Sequence, residues 1–439
     1  MDKKVKKQTL PKILSISLST WRNDSGIHTQ TDLFKYWEAD RVAQIYTRSD
    51  LPDTSVCNSF FRISENNIIK SVYNRKPVGE RVGNHSLASL EEQKAINKEK
   101  ELYSKKTKKR SWIKVFLREI VWFLGKWKTK ELLNFINDEN PDIYFIPIYP
   151  VLFMGRLQNY ILKKNPKPYI CYFWDDNYSY KACGKNIFSY IHRFFLRKYV
   201  KELVQGATEV FAITKMQAEE IAKTFEKDSI ILTKGIDYNN LSFEKKEISF
   251  PIKMVYTGKL IIGRESSLIE ISKAMKKINH NKVMITLDIY SPDVVNSKTM
   301  QYLNSNGCHF CGGVTNEKIG LIQKNADIVV FVESLEKEHC LAARLSFSTK
   351  LTDYFKSGKC IFAVGDERIA PIKYLTEEDA AVVVTKYEDI EKKLRGLIDN
   401  PKKIYEYARK SFDCGKRNHN ENAIKQKFVN AFINAANGD

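Results

Sequence analysis

IKMVYTGKLIIGRESSLIEISKAMKKI, Ile252 to Ile278, opens with an apolar run too short for a helix. It breaks at Gly258 and Gly263, then continues with apolar residues at helical spacing. A buried strand that feeds a helix through a glycine loop is the repeating unit of a parallel sheet with crossover helices. Toward the C-terminus the strand runs return as KVMITLDIY, CHFCGG, DIVVFV, KCIFAV and AAVVVT, separated by helical patterns such as NEKIGLIQKNA. Toward the N-terminus KILSISL, DIYFIPIY, PYICYFW, EVFAIT and SIILT keep the rhythm, and the charged stretch LSFEKKEISFP, Leu241 to Pro251, separates the two series.

This pattern predicts an α/β chain of two Rossmann-like domains, residues 1–245 and 250–415. A terminal segment, 416–439, follows, with Ile424, Phe428, Ala431 and Ile433 on one side of a helix. With 439 residues, 43% hydrophobic and 28% charged, the chain can bury sizeable cores and is not disordered. Its most apolar run, FIPIYPVLFMG from Phe145 to Gly155, holds two prolines and falls well short of the ~20 residues of a spanning helix. The opening MDKKVKKQTLPKILSISLST is interrupted by Pro11 and Lys12 and then alternates as a strand does, so it does not read as a signal peptide. Eight cysteines spread from Cys57 to Cys414 make no dense framework, which predicts a reducing compartment. Cys308 and Cys311 have the gap of a zinc knuckle, but no second pair stands at ligand spacing, so no metal or other cofactor is expected.

Lys+Arg 72 against Asp+Glu 52 leaves a net charge of +20, which calls for an anionic partner. Almost half of that excess is local: Lys105 to Lys130 holds ten basic residues and one acid. Within it Trp112, Ile113, Phe116, Leu117, Ile120, Val121, Phe123, Leu124 and Trp127 fall in one half of a helical wheel, with Lys114, Arg118 and Lys126 opposite. Such a basic helix with Trp at both ends suits an anionic membrane surface, and it also suits a helix docked on its own domain. The sequence therefore predicts a basic helical insertion at about 75–130 in the N-terminal domain and a cytoplasmic protein held peripherally on the inner face of a bacterial cell membrane. No RNA- or DNA-binding motif accompanies the charge, so no specific nucleic acid is expected.

Ligands of doubly wound sheets gather at the carboxyl ends of strands, and phosphates at helix N-termini. Three such places stand out. Gly26, in the loop after KILSISLST, lets backbone approach a ligand closely. Gly258, Lys259 and Arg264 gather two cations before a helix. In STKLTDYFKSGKCIFAV, Ser348 stands at an N-cap with Thr349 after it, Lys350 lies in the first turn, and Asp353, one turn on, is placed to accept sugar hydroxyls. Lysine is disfavoured at a positive helix end unless an anion binds there. On the other side of the presumed cleft, Trp174, Asp175 and Asp176 follow the strand PYICYF and suit a saccharide acceptor.

Gly26, TKGID (Thr233 to Asp237), YTGKLIIGR and STKLTDYFKSGKCIFAV together resemble the retaining, GT-B-fold glycosyltransferases of the group 1 type that build bacterial capsule, lipopolysaccharide and exopolysaccharide. The resemblance covers most of the chain. It implies two domains facing each other across a cleft, with the terminal helix crossing back to the first. It also implies transfer of a sugar from a nucleotide diphosphate sugar to a saccharide or lipid-linked acceptor, with retention and without a bound metal. Gly26, Gly258, Lys259, Arg264, Ser348, Thr349 and Lys350 would then hold the donor diphosphate, and Asp353 the ribose. The order Lys259 then Arg264 exchanges the family's arginine and lysine at the same spacing. Leu345 stands where the family carries a glutamate, which leaves Asp175, Asp176 and Glu333 as candidate catalytic acids, with Glu336 beside Glu333. A nucleotide-sugar epimerase and a catalytically inactive partner subunit of the same fold are the alternatives.

Overall fold

In the computed structural model, which describes residues 10–23, 28–104, 112–184 and 186–438, the apolar runs pair into two sheets. The first holds β1 (Ile13–Ser17), β2 (Val42–Tyr46), β3 (Ser59–Arg62), β4 (Glu80–Val82), β5 (Ile143–Pro147), β6 (Tyr169–Phe173), β7 (Glu209–Ala212) and β8 (Ile230–Ile231). Their order is β4-β3-β2-β1-β5-β6-β7-β8. The second holds β9 (Ile252–Thr257), β10 (Ile285–Tyr290), β11 (Cys308–Gly312), β12 (Ile328–Val332), β13 (Cys360–Val364) and β14 (Val382–Val384), ordered β11-β10-β9-β12-β13-β14. Only β4, against β3, runs antiparallel among these strands. The chain reverses its direction of winding beside β1 in one sheet and beside β9 in the other, and these are the points where such folds open a crevice.

Helices α1 (His28–Phe34), α2 (Glu65–Asn74), α3 (Leu90–Ser104), α4 (Trp112–Leu124), α5 (Lys130–Glu139), α6 (Leu152–Lys164), α7 (Ile187–Gly206) and α8 (Lys215–Phe225) belong to the first half. The second half carries α9 (Arg264–Ile278), α10 (Ser297–Leu303), α11 (Asn316–Asn325), α12 (Lys337–Ala343), α13 (Thr349–Ser357), α14 (Ala370–Glu377), α15 (Ile390–Ile398) and α16 (Lys402–Asn418). The last helix, α17 (Glu421–Asn437), returns to the first sheet. Its Phe428 and Phe432 pack edge-on against Phe34 and Trp37 and beside Phe211.

The return is tied by backbone bonds from Ile236 N to His419 O, 2.8 Å, and from Glu421 N to Ile236 O, 3.0 Å. His419 is buried there with both ring nitrogens bonded, Nδ1 to Thr233 Oγ1 at 2.9 Å and Nε2 to Tyr374 Oη at 3.0 Å, between the rings of Phe347 and Phe355. Burial pushes its pKa down to about 4.

Two sequence expectations change. The segment read as an insertion is not wholly added to the sheet: β3 and β4 lie in or just before it, and β2, also unforeseen, precedes it. All three are short, and β2 is buried along its whole length, so it lacks the alternation that marks a strand. The basic helix α4 forms, but with the opposite face inward. Its Trp122 stacks on Phe153 at 4.1 Å, and Arg118 sits over the Phe153 ring while its Nε meets Glu65 at 3.1 Å. Ile113, Phe116 and Phe123, on the apolar arc, are 65–73% exposed. Trp127 is buried, with its Nε1–H donated to Trp122 O, and so does not reach an interface. Lys105 to Ser111 lie outside the described residues.

Candidate active site between the sheets

A cavity of about 750 Å³ opens at the two winding reversals. Ser19 and Gln30 reach it from beyond β1, Tyr149 from beyond β5, Ile261 and Arg264 from beyond β9, and Glu333 from beyond β12. Trp174 and Asp175, after β6, and Ser346, Ser348 and Thr349, at the start of α13, complete the walls. The sheet topology thus gathers loops far apart in sequence at the carboxyl ends of parallel strands.

On the second sheet the glycines of the β9 loop set the geometry. Gly258 has φ +152°, and a Cβ there would lie 1.8 Å from Lys350 Nζ. Gly263 has φ +70°, and a Cβ would lie 2.2 Å from His339 Nδ1. Glycine at both positions lets the loop close onto α12 and α13. Arg264, the first residue of α9, forms a bidentate pair with Glu333, Nη2 to Oε1 at 2.7 Å and Nε to Oε2 at 3.1 Å. The Glu333 side chain is 3% exposed, so it anchors the guanidinium from behind.

Lys350 lies with its ammonium 5.1 Å from the centre of the Tyr256 ring and 3.5 Å from Tyr256 Oη. Burial first, and then the Arg264 charge, lower its pKa to about 8. Two cations therefore crowd one desolvated corner, where Glu333 and Asp293 offset only part of the penalty, and an incoming anion would relieve both the repulsion and the lost hydration. Lys259 is exposed; its backbone oxygen accepts from Tyr256 Oη at 2.7 Å, and its charge further depresses Lys350. Ser348 holds the N-cap position of α13 but makes no side-chain cap bond, so its hydroxyl and the first turn of the helix face the cavity uncapped. Gly26 lies outside the described residues.

Asp353 does not share this cavity. It lines a neighbouring one of about 600 Å³ with Asn316, Gln323 and Lys234, and Lys234 Nζ stands 3.4 Å from its carboxylate. Thr349 borders both spaces, so the first turn of α13 separates them.

The adjacent aspartates take different parts. Asp175 accepts a hydrogen bond from Ser346 Oγ and faces the cavity; burial, aided by the Asp176 charge, raises its pKa. Asp176 accepts from Ser179 N at 3.0 Å and from Arg344 at 2.7 and 3.1 Å, with its side chain 1% exposed. Arg344 also reaches Glu220 Oε1 at 2.6 Å, which makes a buried tie between the two halves. Glu336 is drawn away toward Ser266 and His339. Leu345 is fully buried and presents no group to the cavity. Tyr149 lies inside the quoted run DIYFIPIY, and Gln30, Arg344 and Ser346 sit near quoted motifs, but none of the four carries a pattern of its own that marks it as part of the site.

Among the described residues no cluster of three or more His, Cys, Asp or Glu could hold a metal ion, and no helix is long and apolar enough to cross a membrane. No family model matches the chain, and no curated protein does. Solved structures do. The chain is similar to Anabaena HepE in complex with UDP, at TM-score 0.60 and 10% identity over 96% of this chain and 99% of that one. HepE in complex with UDP-glucose gives 0.58 and 12% over the same shares. Sucrose-phosphate synthase from Thermosynechococcus elongatus gives 0.59 and 10% over 97% and 99%. At these identities the likeness establishes the fold: two parallel-sheet α/β domains in the GT-B arrangement.

Proposed function

We propose that this chain is a glycosyltransferase that moves a sugar from a nucleotide diphosphate sugar to a saccharide or lipid-linked acceptor in the synthesis of a bacterial cell-surface polysaccharide. The observation that carries the reading is Arg264 and the uncapped start of α13 on the cavity wall, with the Lys350 charge acting beside Arg264, in a fold shared with a UDP-glucose complex. In this reading Arg264, Lys350, the α13 N–H groups, and Lys259 at the rim stabilise the diphosphate as it leaves, in the place a metal would take. Ser348 and Thr349 border the phosphates, and Asp353, in the adjoining cavity, takes the ribose. Asp175 is the acid left facing the acceptor side, beside Trp174, because Asp176 and Glu333 are spent on Arg344 and Arg264. Retention of configuration follows from the family resemblance. The outward apolar arc of α4, in a stretch of sequence, Lys105–Lys130, rich in basic residues, supports a peripheral seat on the anionic inner face of the cell membrane.

Titration of the full chain with a panel of nucleoside diphosphates and their sugars tests the donor site. At least one should raise the melting temperature, since ligand at a hundred times its Kd adds about 2.7 kcal/mol to the folded state. If none binds, the reading is wrong.

A further inference from the structure

The exposed face of α4 does not stand alone. Phe188, Ile191, Phe194 and Phe195 project from the first half of α7 at helical spacing, each 48–60% exposed, while Leu196, Val200 and Leu203 point into the core. The same outward stripe continues into exposed Lys198 and Lys201. The two helices adjoin. The Trp112 ring of α4 lies 6.0 Å from the His192 ring of α7, and the buried Glu119 of α4, held by Leu152 N and Arg156 of α6, lies 3.9 Å from His192 Nε2.

Five phenylalanines of these faces, Phe116, Phe123, Phe188, Phe194 and Phe195, each expose about half to three-quarters of the residue. An aromatic side chain carries roughly 150–250 Å², so the three on α7 alone approach the ~300–600 Å² of the largest apolar patch on a typical monomer, and α4 adds to it.

We infer that α7 is the second half of a membrane-docking platform, so that α4 and α7 seat together in an anionic bilayer. The inference rests on the membrane reading of α4 and extends it to a helix the sequence did not mark. Charge selects the occupant. Exposed Lys114, Lys126 and Lys128 flank the α4 face and Lys198 and Lys201 extend the α7 stripe, against one exposed acid, Glu202, on α7, while the only acid of α4 is the buried Glu119. A second copy would set this positive rim against itself, whereas anionic headgroups neutralise it while the phenylalanines enter the acyl boundary. The seat also fixes the cleft: Arg193 of α7 donates to Asn177 O, and Asn177 lines the central cavity. The helix that meets lipid thus holds the acceptor-side wall, and an acceptor anchored in the bilayer is the class that such a seat presents.

The full chain is sedimented with vesicles of phosphatidylglycerol and phosphatidylcholine as parent, as Phe188→Ser/Phe194→Ser, and as Phe116→Ser/Phe123→Ser. All four side chains are largely exposed, so the melting temperature should hold in both variants. Each variant should lose about tenfold or more in vesicle affinity and keep the parent's size in solution. Loss in the α4 variant with none in the α7 variant overturns this inference and leaves the α4 reading standing. No loss in either overturns both. A smaller assembly for the α7 variant assigns the face to a second copy and also overturns it.

Discussion

Replacing Lys350 with methionine keeps most of the side-chain volume and removes the charge, and it should make the unliganded protein more stable while destroying the diphosphate site. The fall in the Lys350 pKa from 10.5 to about 8 means that its charged form is less favourable in the fold than in the unfolded chain. At ~1.36 kcal/mol per unit of pKa the shift corresponds to roughly 3 kcal/mol, and lost cation–ring contact with Tyr256 reduces the net gain to about 1–3 kcal/mol. The unfolded chain holds more protons than the fold between pH 8 and 10.5, so the parent gains stability as pH rises through that window. Below it the penalty is present in full, and above it the penalty is gone. Thermal unfolding of parent and Lys350→Met from pH 7 to pH 10.5 should therefore show the variant ahead at neutral pH and the two converging as the lysine discharges. Binding of the cognate nucleoside diphosphate should be lost in the variant, and in the parent it should weaken above pH 8, where the unliganded site gives up its proton. A Lys350→Met protein that melts lower than the parent at pH 7, or that binds nucleotide unchanged, would refute the argument that an anion resolves this charge cluster.

Ala at Gly258 pushes its Cβ into the Lys350 ammonium and forces a side chain onto a backbone at φ +152°; calorimetry should show nucleotide affinity down about tenfold or more, together with a clear fall in melting temperature, because the end of a lysine can move but the backbone strain stays. Asp176→Ala leaves Arg344 buried without one of its two carboxylates and should cost about 3–5 kcal/mol in denaturant unfolding, with nucleoside diphosphate affinity largely kept, which separates it from Asp175. The depressed pKa of His419 means that its neutral form is the one the fold accepts. Stability should be fully present above pH 6.5 and fall as pH drops toward about 4, and thermal scans of His419→Gln should show a shallower acid slope.

The sequence by itself determined the parallel α/β architecture, because buried strands and amphipathic helices are local patterns with periods readable in a short window. It also marked Gly258, Arg264 and Lys350, since glycine and charge before a helix carry meaning without knowledge of the partner. The roles of Asp175 and Asp176 were another matter. They are neighbours in the chain and both border the cavity, and only Arg344, 168 residues beyond Asp176, makes one a structural tie and leaves the other without a cation among the described residues. The helical wheel divided α4 into two sides but could not say which is inside, because Trp122 finds Phe153 and Arg118 finds Glu65 only in three dimensions. Likewise nothing in the sequence brings α4 to α7; only the fold sets Trp112 of one against His192 of the other. Local periodicity decides what each segment is, while the pairing of residues far apart along the chain decides which face is buried, which charge is neutralised and which group remains free to meet a ligand.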